Sequence, residues 1–174
     1  MKRRFAPADL LTALRLPLAA AFPFVARPLW QLAIVGAAAA SDVLDGMFAR
    51  RYGGSRTGAV LDPIADKVFM VAAFLAVARG GLLAPYEIVA VLLRDVVAAL
   101  GFAGTWLFAR PVALPARAGG KAVTVCQVLT LVACIATSPL ARPLAWATGA
   151  ISVYALWDYG RAAAHARADA GEGN

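Results

Sequence analysis

Ser41 to Lys67 reads SDVLDGMFARRYGGSRTGAVLDPIADK. The stretch holds four aspartates, Asp42, Asp45, Asp62 and Asp66, in a chain otherwise poor in charge. Asp42 and Asp45 are three residues apart, and Asp62 and Asp66 are four apart. On a helix, either spacing puts both side chains on one face, a turn apart. Gly53-Gly54-Ser55 breaks the run between the pairs, so one pair ends a helix and the other begins the next. Helices joined by so short a connection are expected to be antiparallel neighbours, which brings both pairs to one end. Four facing carboxylates repel, and in a low-dielectric setting they need cations to stay ionised. Oxygen-only ligation suits Mg²⁺ or Mn²⁺, and two such ions can share bridging carboxylates. Helix-end salt bridges would explain one pair. They explain four carboxylates at these spacings, with glycines interleaved, much less well.

The surrounding sequence suggests that this stretch sits in a membrane. Hydrophobic residues make up 61% of the 174 and charged residues 16%, against roughly 45–50% apolar in an ordinary soluble domain. A bilayer-spanning helix needs about 20 mostly apolar residues. Six segments qualify, some with a polar end: Leu10–Ala26, Leu29–Arg50, Gly58–Ala78, Ala84–Phe108, Lys121–Thr137 and Leu140–Ala162. The expected fold is an all-α integral membrane protein with six transmembrane helices, forming one domain over residues 1–174. The polar tail from Arg161 is expected to fray, with 165–174 disordered. The basic start and apolar run of the N-terminus resemble a signal peptide, but Asp9 and Arg15 interrupt it, so it reads as a retained first helix. Its Lys2, Arg3, Arg4 and Phe5 suit a short interfacial start.

Six spans put both termini on one side. Lys2, Arg3, Arg4, Arg50, Arg51, Arg56, Arg110, Arg117, Lys121, Arg161 and Arg167 then share one face, against Arg27, Arg79 and Arg142 on the other. The positive-inside rule makes the richer face cytoplasmic. The aspartates would lie at that face of the cytoplasmic (inner) membrane. The net charge of +7 suits anionic membrane lipids, and no nucleic acid partner is expected. Cys126 and Cys134 lie about 12 Å apart along one helix, too far for a disulfide. With His165 as the single histidine, a His-based metal site or a Ser-His-Asp triad is excluded.

Glycines flank the carboxylates. Gly46 follows Asp45, and Gly58 precedes Asp62 by one turn, where small residues admit a bulky ligand. Arg50, one turn beyond Gly46, could meet a diphosphate held by the metals. Pro63 removes a backbone donor beside Asp62.

Together, Asp42-x2-Asp45-Gly46-x2-Ala49-Arg50 and Gly58-x3-Asp62-x3-Asp66 resemble the signature of the CDP-alcohol phosphatidyltransferases. The resemblance implies two divalent ions and a CDP-linked lipid, CDP-diacylglycerol. Asp42, Asp45 and Asp62 would ligate metal. Asp66 would complete the metal site and act as general base on the acceptor hydroxyl. Asp42, Gly46, Ala49, Arg50, Arg56, Thr57 and Gly58 would contact the CDP moiety. One departure falls in the connection. Seven residues separate Arg50 from Gly58, where family members usually have eight or more, and Arg56 and Thr57 lie in that loop. Homodimerisation is common in the family and is expected by analogy.

Other segments bear on the acceptor. Arg94-Asp95 lies deep in the fourth apolar segment, and Gly120-Lys121-x2-Thr124-x2-Gln127 opens the fifth. Pro7-x-Asp9-x2-Thr12-x2-Arg15 precedes them. These are similar to features of the phosphatidylglycerophosphate synthases and related cardiolipin synthases, with Asp9 in place of an Asn. A phosphate-bearing acceptor calls for cations, for which Arg94, Lys121 and Arg117 are candidates. For Arg94 an internal ion pair is nearly as good a reading, and for the other two ordinary membrane topology is. Arg15 is free to pair with any carboxylate its helix reaches. Glu87 reads as an interfacial residue. Glycerol 3-phosphate is the favoured acceptor. Phosphatidylglycerol, giving cardiolipin, comes next, then inositol phosphate or serine. A different class, a non-catalytic transporter or scaffold, would scatter its polar residues along the midplane rather than bunch them at one face.

Overall fold

Among the residues described by a computed structural model of the chain (7–52, 58–107 and 118–172) there are helices and no strands. Side chains are described at 14–44, 47, 51, 64–100 and 120–161. The order is α1 (Pro7–Ala21), a 3₁₀ turn (Phe22–Phe24), α2 (Pro28–Tyr52), α3 (Gly58–Ala78), α4 (Pro85–Leu107), α5 (Ala118–Ile135) and α6 (Ala141–Glu172). Each of the six apolar segments thus forms a helix. Among the described residues, no helix is long and apolar enough to cross a membrane. One contributor is plain in α1, whose 15 residues fall short of the roughly 20 a bilayer needs.

The helix ends follow local chemistry. Pro28 and Pro85 open α2 and α4, where a missing N–H costs nothing. Glu87 reaches back so that Ala84 N–H donates to its Oε2 at 2.7 Å, one half of a capping box. The first segment, expected to continue to Ala26, leaves α geometry after Ala21. Pro23 sits in the 3₁₀ turn, and Val25 is extended at φ −86, ψ 109. Past α3 the chain turns at Gly81, whose φ of +70 favours glycine. After α5, Ser138 N–H donates to Ala133 O and Thr137 N–H to Cys134 O, the paired bonds of a Schellman motif. Thr137 takes the left-handed position at φ 50, which is strained for a β-branched residue.

Past Arg161, α6 runs on to Glu172. Six alanines between Ala162 and Ala170 supply the propensity.

The chain divides into two compact units. The first comprises residues 1–82 and 131–138. Here α1 packs against both α2 and α3. The packing described in this unit therefore runs through α1, whereas the sequence pointed to α2 and α3 as direct neighbours. Ala65, Phe69, Ala73 and Phe74 bury one stripe of α3. Phe22 meets Phe69 edge-on, with ring centroids 5.9 Å apart. The second unit comprises residues 83–130 and 139–174. In it α4 packs against α6, with Gly149 so near Ala90 that an added Cβ would lie 3.3 Å from the Ala90 Cβ. Thr130 and Thr148 share a hydrogen bond of 3.0 Å while each donates or leans back to its own helix, at Cys126 O and Leu144 O. Neither Cys126 nor Cys134 is part of a disulfide.

Candidate active site

In the first unit, α2 carries Asp42 and Asp45 toward its C-terminal end, and α3 carries Asp62 and Asp66 in its first turns. Arg15 reaches this region from α1. Its side chain is almost wholly buried, yet it is a long cation in an apolar helix, so its charge needs partners. Nε donates to Ser41 Oγ at 2.9 Å, and Nη1 lies 3.4 Å from Asp42 Oδ1. The Ser41 hydroxyl donates in turn to Ala38 O at 2.8 Å. These bonds tie the end of α2 to α1 just where the first acidic pair begins. The Asp42 carboxylate itself is 65% exposed, so the contact leaves most of it open to a ligand.

Asp66 is about one third exposed and forms a long ion pair with the next residue, Lys67 Nζ to Oδ2 at 3.7 Å. At that distance and exposure the pair contributes little to stability. Asp45, Gly46, Ala49 and Arg50 lie in α2, and Gly58 and Asp62 in α3, with their side chains outside the described residues. Arg56, Thr57 and Arg117 lie wholly outside them. Among the described residues no group of three or more His, Cys, Asp or Glu gathers to hold a metal. Asp42 and Asp66 are carboxylates on side chains 65% and 33% exposed, and oxygen donors of that kind suit a hard divalent cation.

In the second unit, Arg94 and Asp95 are adjacent on α4. Arg94 Nη1 donates to Asp95 Oδ1 at 3.1 Å. Asp95 is buried, and α5 fixes its other oxygen: Gln127 Nε2 donates to Oδ2 at 2.8 Å and to Val91 O at 2.9 Å. Gln127 is fully buried. The internal ion pair expected of Arg94 is present and engages Nη1 of the guanidinium. The opposite edge lies against α5 and α6. A Cβ added to Gly120 would sit 2.7 Å from Arg94 Nη2 and 2.6 Å from the Tyr159 hydroxyl oxygen, so the ends of both side chains would have to move to admit one. Lys121, next along α5, is exposed.

Sequence reasoning gave Gln127 no role beyond its place in a motif. A buried amide in an apolar helix was the available signal, because such a group must find partners. Glu87 read as interfacial, and the structure adds its partners. It is buried, caps α4 and lies 3.5 Å from Arg142 Nε.

The chain was compared with known proteins. Residues 5–156 match the family model described as CDP-alcohol phosphatidyltransferase. Proteins from Mycobacterium tuberculosis and Mycobacterium bovis, each named "Putative cardiolipin synthase", are 34% identical to it over 124 residues. That region covers 67% of this chain and 57% of each relative, so the chain spans little more than half the length of these relatives.

Proposed function

The chain belongs to the CDP-alcohol phosphatidyltransferase family, and from that premise we propose that it transfers a phosphatidyl group from CDP-diacylglycerol to a phosphate-bearing alcohol, releasing CMP. The observation that carries this reading is the family match over residues 5–156, which contains both aspartate pairs at the spacings the chemistry needs. Asp42, Asp45, Asp62 and Asp66 hold two divalent ions, Mg²⁺ or Mn²⁺. When bound, these ions neutralise the diphosphate. Gly46, Ala49, Arg50, Arg56, Thr57 and Gly58 hold the CDP moiety. Asp66 accepts the proton of the acceptor hydroxyl as its oxygen attacks the β-phosphorus, and the bond from that phosphorus to the CMP oxygen breaks. A carboxylate one turn from a metal ligand is well placed for that transfer. Arg94, Lys121 and Arg117 hold the phosphate of the acceptor.

Glycerol 3-phosphate is the first acceptor in this reading. The names of the mycobacterial relatives favour a second, phosphatidylglycerol, which also carries a phosphate. The protein works in the cytoplasmic membrane, with six spans, both termini and the aspartates at the cytoplasmic side, and as a homodimer. The many large apolar side chains that α2 to α6 leave exposed, such as Leu75, Val89, Leu100, Leu129 and Val153, support a lipid surround, because soluble proteins rarely expose so much. The test is an acceptor panel in lipid vesicles, comprising glycerol 3-phosphate, phosphatidylglycerol, inositol phosphate and serine, with the lipid product identified by mass spectrometry. A product with serine alone would overturn the phosphate-bearing acceptor.

A further inference from the structure

We propose that Gln127 is a positioning residue: by holding Asp95 it sets the Arg94 guanidinium so that its Nε–Nη2 edge is kept for one anionic group of the phosphate class. This rests on the reading of Arg94 as an acceptor contact and deepens it.

A guanidinium offers two bidentate edges, and a carboxylate or phosphate takes one of them in a fork. In this chain Asp95 engages Nη1. Asp95 cannot swing to the other edge, because its second oxygen is bound by Gln127 at 2.8 Å. Gln127 is itself anchored, since the same amide nitrogen donates to Val91 O. The side edge, Nε with Nη2, is therefore left over. Nε is buried with no hydrogen-bond partner among the described residues, which is costly for a donor. Gly120 lets Nη2 lie against the α5 backbone, with the Tyr159 hydroxyl alongside. The guanidinium is thus locked at one end by a buried carboxylate and amide, while the Arg94 side chain keeps 17% exposure through which an anion can reach it.

The experiment measures KM for glycerol 3-phosphate and for CDP-diacylglycerol in Gln127→Leu, Arg94→Ala and the double variant. Gln127→Leu is expected to raise acceptor KM by tenfold or more, with the CDP-lipid KM within twofold. The double variant is expected to match Arg94→Ala alone, because Gln127 acts through Arg94. Additive losses, or an equal fall in kcat for every acceptor with KM unchanged, would reduce Gln127 to packing and overturn the proposal. If Arg94→Ala leaves acceptor KM unchanged, the acceptor reading itself fails. If Arg94→Ala raises it and Gln127→Leu does not, the positioning inference alone fails. Should Gln127→Leu not fold, Asp95→Asn tests the same link, because it keeps the shape and removes the charge; an unchanged acceptor KM there counts against the proposal.

Discussion

Arg15 on α1 lies 3.4 Å from Asp42 on α2, which places a buried guanidinium beside the first aspartate of the proposed metal site. The two ends of this contact differ in environment, with 2% of the Arg15 side chain and 65% of the Asp42 side chain exposed. The arginine is held by its surroundings and by Ser41 as well as by the carboxylate.

That asymmetry makes a prediction. Arg15→Ala should lower stability by about 2–4 kcal/mol, the range for emptying a large buried site. Asp42→Asn should change it by less than about 1 kcal/mol, as for other ion pairs open to solvent. Thermal unfolding of the two variants in the same lipid or detergent checks this. Equal losses would mean that the ion pair, not the packing, holds α1 to α2.

Gly120 allows a second prediction. A Cβ there would meet Tyr159 and Arg94 inside contact distance, so Gly120→Ala should cost about 1–3 kcal/mol, as overpacking does. Tyr159→Phe removes the nearest atom, and the loss should shrink in that background. A double-mutant cycle on unfolding midpoints reads the coupling, and a coupling of zero would separate the two residues.

Thr137 gives a prediction of opposite sign. Its φ of 50 costs an L side chain about 1–2 kcal/mol. Thr137→Gly should therefore stabilise the protein, with the gain trimmed by the greater freedom of glycine in the unfolded chain. A higher unfolding midpoint supports this, and a lower one shows that the Thr137 side chain contributes more than its strain costs.

The proposed roles of the aspartates separate in binding. Asp66→Asn should abolish turnover while leaving much of the binding of Mn²⁺ and CDP, measured by calorimetry. Asp62→Asn should weaken both. Equal loss of binding in the two variants would remove the base role from Asp66.

The helices were legible because apolar runs of helical length between breakers such as Arg27-Pro28 and Ser138-Pro139 leave few other options. The aspartate pairs were legible because i, i+3 and i, i+4 spacings act within one helix. What the sequence hid involves contacts between distant segments. Gln127 meets Asp95 across 32 residues, and Arg15 meets Ser41 across 26. Nothing in local spacing names such partners.

The most direct test is CMP release from CDP-diacylglycerol by the purified protein in lipid, with and without Mg²⁺, in the presence of glycerol 3-phosphate or phosphatidylglycerol. The account predicts metal-dependent CMP release, matched mole for mole by a new phosphatidyl product and abolished in Asp62→Asn. No CMP release with either acceptor, or release that survives Asp62→Asn, would contradict it.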